Sequence, residues 1–179
     1  MDIKAILKRI AEGDQTAFAL VVVKFQQPLF GYLGRLGLTQ SLAEEVAQET
    51  FLRAWKQLHR FDPACGEFST WLFSIARHLG LHELERAYAK HELANDETLA
   101  EFAAENLPLS DALNQALLKQ RLFQALHSLP VTDRSALALA YYQDLDLDAI
   151  ARIEGCSSGA IKVRLHRAKQ RLRQLLEEK

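Results

Sequence analysis

Apolar residues recur at intervals of three and four along almost the whole of this chain. One run is Ile161, Leu165, Ala168, Leu172 and Leu175; another is Phe18, Val22, Phe25, Leu29, Leu33 and Leu36. Each falls on one face of a helix. The strict alternation that a half-buried strand needs is nearly absent. Glycine (8) and proline (4) are few in 179 residues, and 49% of the chain is hydrophobic, enough to bury a core. The expected fold class is all-α.

Local signals divide this helical pattern. Asp14 suits the cap of the first long helix, and Pro28 is expected to kink or break it near Gln27. "SLAE", residues 41–44, reads as a capping box with Ser41 at the N-cap and Glu44 three on. That helix runs to about His59 and stops before the Pro/Gly loop "FDPACGEF". Another follows from about Ser69 to Tyr88, with Trp71, Leu72, Ile75 and Leu79 as its buried face. "AKHELANDETLAEFAAENLPLSD" is acidic and weakly periodic, and reads as a linker holding one fragile helix at most. Beyond it, Leu118, Leu122, Ala125 and Leu129 form a stripe stopped by Pro130, and Thr132 suits the cap of a helix reaching Tyr142. The expected plan is two small helical domains, 1–90 and 113–179, joined by an acidic linker, 91–112.

Several function classes are disfavoured. Cys65 and Cys156 lack CxxC spacing and make no disulfide framework, so a reducing compartment fits. The N-terminal "MDIKAILKRIAEGD" is amphipathic, with no cleavage-like site. No apolar run approaches the roughly 20 residues that span a membrane. A cytoplasmic protein without membrane insertion is expected.

Charge is distributed unevenly. Residues 91–150 carry 3 Lys/Arg and 10 Asp/Glu, whereas residues 151–179 carry 8 and 3. Within "GCSSGAIKVRLHRAKQRLR", residues 155–173, there are six Lys/Arg and no acid. Asp146 can cap the short helix "LDAIARIE", Gly155 can end it in a left-handed conformation, and Ser157 or Ser158 can cap the next. Helix, glycine turn, helix is the helix-turn-helix pattern. With the Ile161–Leu175 stripe packed inward, the opposite face holds Gly159, Lys162, Val163, His166, Arg167 and Gln170, flanked by Lys169 and Arg173. Arg and Lys suit guanine edges and phosphates, and Gln suits adenine. A merely solvated charged face normally mixes signs; this one points to nucleic acid.

"HSLPVTDRSALALAYYQDLDLDAIARIEGCSSGAIKVRLHRAKQRLRQLL" resembles region 4 of bacterial extracytoplasmic-function sigma factors of the sigma-70 family. "GDQTAFALVVVKFQQPLFGYLGRL", "AEEVAQETFLRAWKQLHRFDP" and "EFSTWLFSIARHLGL" resemble region 2 in order and spacing. The resemblance implies a non-enzymatic subunit, without cofactor or metal, that brings core RNA polymerase to particular promoters. It assigns Glu45, Gln48, Glu49 and Arg53 to the helix docking on the polymerase clamp. Asp62, Cys65, Glu67, Trp71, Arg77 and His78 would meet minus-ten DNA, where a flipped base is captured by the loop 61–68. Ser157, Ser158, Lys162, Arg164, His166, Arg167 and Gln170 would meet minus-thirty-five DNA. An anti-sigma factor is the expected regulator.

Two positions depart from the family pattern: His78 stands where an Asn is usual, and His82 where an Asp is usual. The run of arginines expected next is reduced to Arg77, Arg86 and Lys90, interleaved with Glu83 and Glu85. A histidine pair at i, i+4 suits zinc, but no HExxH pattern or third ligand accompanies it. Three other readings stay open from the residues alone: a stand-alone helix-turn-helix regulator, a sigma-like adaptor with weakened promoter opening, and a metal-dependent hydrolase.

Overall fold

The structure is a computed structural model that describes residues 2–90 and 112–177. The expected linker therefore lies almost wholly outside the described residues, and with it the fragile helix. Among the described residues, eight α-helices follow in order: α1 (Ile3–Ala11), α2 (Phe18–Leu36), α3 (Gln40–Gln57), α4 (Phe68–Lys90), α5 (Ala112–His127), α6 (Val131–Tyr141), α7 (Leu147–Glu154) and α8 (Ser158–Glu177). No strand occurs among the described residues, so the all-α expectation holds.

The first four helices pack around α2, and α6 is packed by α7 and α8 in the second group. Val21, Phe25, Leu29, Leu33 and Leu36 of the α2 stripe are buried. Burying one such side chain contributes about 1.5–3 kcal/mol relative to exposure. That explains why Pro28 does not break the helix: α2 continues through it to Leu36. A proline costs a helix about 3 kcal/mol, and core residues on both sides of Pro28 offset it.

The N-terminal caps differ from expectation at three places. Asp14 does not cap α2; it receives Arg9 at 2.7 Å and Thr16 Oγ1 at 2.6 Å, and a short 3-10 turn precedes Phe18. These two partners hold its carboxyl below the ordinary carboxylate range. The cap of α3 is Thr39, whose Oγ1 accepts from Leu42 N at 3.3 Å, rather than Ser41. Thr39 is largely buried while Ser41 is exposed, so the earlier hydroxyl is the one held at the helix end. In α6 the cap position is Pro130, and Thr132 lies in the first turn; the extended backbone at Pro130 starts the helix earlier.

Two expected faces are rotated. In α4 the buried residues are Phe68, Thr70, Leu72, Phe73, Ala76, Gly80, Leu84 and Ala87, while Trp71, Ile75 and Leu79 are only partly buried. The cause is a second neighbour: α4 packs on α7 as well as on α2 and α3. In α5, Leu118 is 61% exposed, although Ala125 and Leu129 at the far end of its stripe are buried.

The two helix groups touch extensively. α2 packs on α6 and α4 on α7, and buried residues from both groups form one continuous core. The Tyr32 hydroxyl lies 2.8 Å from Ser135 Oγ. Gln143 donates to the Pro28 carbonyl at 3.0 Å, and the Arg35 guanidinium stacks 3.5 Å above the Tyr142 ring centre.

Candidate nucleic-acid interface

The helix-turn-helix forms as its residues dictate. Asp146 Oδ1 accepts from Ala149 N at 2.7 Å and starts α7. Gly155 ends it at φ 67°, a conformation that disfavours side chains with a Cβ. Ser157 then caps α8, its Oγ accepting from Ala160 N at 3.2 Å. Ser158 instead donates to Asp148 of α7, tying the two helices together. Ile161, Leu165 and Ala168 are buried, and Leu172 and Leu175 are partly so. The phasing leaves Lys162, Val163, His166, Arg167 and Gln170 exposed on one surface.

Arg164 is placed differently. It is turned inward, and Nη1 lies 2.8 Å from Glu154 Oε2. Glu154 is 0% exposed in its side chain and also takes both forks of Arg77, at 2.8 and 3.0 Å. Ser135 donates to the same carboxylate. Because that spends the only serine hydrogen, Tyr32 donates to Ser135. Burial, and secondarily the Glu154 charge, push the Tyr32 phenol well above its ordinary range, so it stays protonated. Sequence reasoning missed Glu154 altogether. Its one available signal was an acid at the inward end of an otherwise apolar α7 face.

The minus-ten candidates cluster at the loop before α4. Asp62 Oδ1 accepts from Ala64 N at 2.9 Å and its Oδ2 lies 3.5 Å from Cys65 Sγ. That carboxylate raises the pKa of the exposed Cys65 thiol. Trp71 packs against Phe61 and Phe68 with ring centres 5.5 Å apart in both cases, so it is a half-buried member of an aromatic cluster. Glu67 is exposed and lies 3.8 Å from Lys4. His78 and His82 are exposed on α4. Among the described residues no group of three or more His, Cys, Asp or Glu side chains gathers for a metal ion. Arg77 is drawn away from this cluster into the Glu154 pair.

The docking candidates share the outer face of α3. Glu45 and Gln48 are exposed, and Glu49 pairs with Arg53 one turn on at 2.6 Å. Ala43, Val46, Ala47, Thr50, Phe51 and Ala54 hold the inner face, so the four polar residues point outward without disturbing the core.

Comparison with known proteins agrees with this layout. Residues 21–89 match the family Sigma-70 region 2, and residues 119–172 match Sigma-70, region 4. The chain is 31% identical to the ECF RNA polymerase sigma factor SigW of Bacillus subtilis, over 99% of this chain and 98% of that protein. It belongs to the extracytoplasmic-function sigma factors of the sigma-70 family. It is also 30% identical to the ECF sigma factor RpoE of Cereibacter sphaeroides, over 95% of this chain and 92% of that protein. Its fold is similar to CnrH, solved with the cytosolic domain of CnrY, at TM-score 0.71 and 23% identity, covering 97% of this chain and 96% of that one. It is likewise similar to the sigma factor RpoE of Bartonella quintana, solved with the anti-sigma factor NepR, at TM-score 0.69 and 24% identity, covering 89% and 96%. As a sigma factor, this protein acts with RNA polymerase in promoter-specific transcription initiation. No described helix is long and apolar enough to cross a membrane.

Proposed function

We propose that this sigma factor divides its work between a promoter-melting domain, 1–90, and a promoter-reading domain, 113–179, joined by a linker at 91–112. In the second, α8 enters the major groove of the minus-thirty-five element. Lys162, His166, Arg167 and Gln170 meet DNA from the exposed face, and Ser157 meets phosphate at its start, while Ser158 keeps its bond to Asp148. In the first, the loop with Asp62, Cys65 and Glu67, backed by Trp71 and His78, receives the minus-ten strand. Base flipping costs a few kcal/mol of unstacking, which contacts in this loop must offset. Glu45, Gln48, Glu49 and Arg53 on α3 dock on the polymerase clamp. The protein works in the cytoplasm as a non-catalytic subunit, and an anti-sigma factor holds it in reserve, as NepR binds the similar RpoE of Bartonella quintana.

The observation that carries this reading is the α8 surface. Its Lys162, His166, Arg167 and Gln170 are all exposed, opposite a buried Ile161–Leu165–Ala168 seam, on a helix whose start is fixed by the Gly155 turn and the Ser157 cap. A helix presented this way exposes donors to base edges and phosphates. Run-off transcription with core polymerase on a genomic library tests it. Discrete start sites sharing an upstream element, shifted or lost with Arg167→Ala, are expected. A footprint on the same element without polymerase would instead favour a stand-alone regulator.

A further inference from the structure

The Glu154 carboxylate gathers two arginines that the family resemblance assigns to DNA. Arg77 comes from α4 of the first helix group and Arg164 from the recognition helix; their side chains are 18% and 25% exposed, and that of Glu154 is 0%. A carboxylate taking a two-pronged guanidinium offers the same charge and oxygen geometry as a phosphate. The pair Arg77–Glu154 also spans the two helix groups, as do Tyr32–Ser135, Gln143–Pro28 and Arg152–Cys65.

We propose that Glu154 is an internal latch: it occupies Arg77 and Arg164 in place of promoter phosphates and so holds the protein in a closed form that cannot engage a promoter. This rests on the DNA-contact reading of those two arginines. Size supports it. A compact chain of this length has a radius of gyration of about 16 Å, hence a diameter of about 40 Å. Minus-ten and minus-thirty-five elements lie about 25 base pairs apart by name, or about 85 Å at 3.4 Å per pair. The closed form cannot touch both. Opening separates Arg77 from Glu154 and returns it to water, where it becomes available to the DNA backbone. Polymerase, by binding the two helix groups at separated places, supplies the differential affinity that opens the latch.

Small-angle scattering on the full chain alone tests the latch without DNA. Wild type should give a radius of gyration near 16 Å, and Glu154→Gln and Arg77→Gln should each raise it by roughly 5 Å or more. In parallel, the affinity of Glu154→Gln for a short random-sequence duplex, without polymerase, should rise roughly tenfold or more, because the competent fraction rises. Adding Arg164→Ala should cancel much of that gain. Helicity by circular dichroism checks folding; if Glu154→Gln does not fold, Arg77→Gln decides, since Glu154 keeps Arg164 as partner in that variant. Folded variants with the wild-type radius overturn the proposal. Opening without any gain in duplex affinity would leave the latch standing and count against the DNA-contact reading of Arg164.

Discussion

The Arg152 guanidinium donates a 2.6 Å hydrogen bond to the Cys65 carbonyl, across 87 positions of sequence. The first helix of the helix-turn-helix thereby pins the loop proposed to receive the minus-ten strand. The close approach is possible because residue 66 is glycine. A Cβ there would collide with Arg152 Nη1, and Gly66 has φ +147°, a backbone region that side chains rarely adopt. Gly66→Ala should therefore cost about 1–3 kcal/mol through backbone strain, read as a lower midpoint in urea. Arg152→Ala leaves the glycine relaxed. It should change stability by less than about 1 kcal/mol, as surface changes do, yet speed amide exchange at residues 62–67. Equal exchange in Arg152→Ala and wild type would show that the loop is held by its own turns alone.

His127 gives the fold a pH dependence. Burial, and then the neighbouring Arg134 charge, lower its pKa from 6.5 to about 4, and the Gly34 carbonyl only partly opposes this. Arg134 Nη1 donates toward Nδ1 at 3.3 Å, which suits the neutral ring. With the folded pKa depressed, the unfolded chain binds the proton first as pH falls. The stabilisation is complete above about pH 6.5 and is lost progressively toward pH 4. Because the ring is only partly buried, the loss between pH 7 and pH 5 should be about 1 kcal/mol. That lowers the melting temperature by roughly 2–4 °C. His127→Gln should melt with a visibly flatter pH profile; an unchanged slope would assign the effect elsewhere.

On α3, Glu45→Lys with Glu49→Lys should weaken binding to core polymerase by roughly tenfold or more, since a charge-complementary contact becomes repulsive. The fold should be nearly indifferent. The Glu49–Arg53 pair is 43% exposed on both sides, and such pairs contribute about 0–1 kcal/mol. Fluorescence anisotropy with core enzyme, beside a thermal melt, separates the two effects. Binding at wild-type affinity would remove α3 from the docking surface.

On α8, Arg167→Ala and Lys162→Ala should separate base from phosphate contacts. Losing a bidentate base contact costs about 1–3 kcal/mol of discrimination at one promoter position. Losing a phosphate contact weakens all sequences alike and lowers the salt slope by roughly 0.9. Titrations of holoenzyme on promoter variants at several salt concentrations read both. Neither change in either variant would mean the exposed face is merely solvated.

The last third of α4 carries a comparable charge test. Arg86 is paired with Glu83 at 2.6 Å, so little free positive charge follows Arg77 on this helix surface. Glu83→Arg with Glu85→Arg should increase open-complex formation at suboptimal promoters, measured by permanganate reactivity of melted thymines. No increase would show that electrostatics here do not limit opening.

Much of this protein was legible residue by residue. The all-α class, the Asp146 cap, the Gly155 turn and the inward and outward faces of α8 follow from interactions within about four positions, which periodicity and capping chemistry record directly. The outward placement of Glu45, Gln48, Glu49 and Arg53 follows for the same reason. Tertiary structure decided the rest. Pro28 stays inside α2 because core contacts on both sides outweigh its local cost, and Trp71 is drawn into an aromatic cluster with Phe61 and Phe68. Arg77 and Arg164 both read as DNA contacts along the chain, yet they meet at Glu154. An arginine's charge is written in its sequence; its partner, here 77 positions away for Arg77, is set by which helices pack together. Burying that carboxylate leaves the nearest guanidiniums as the groups that can compensate it.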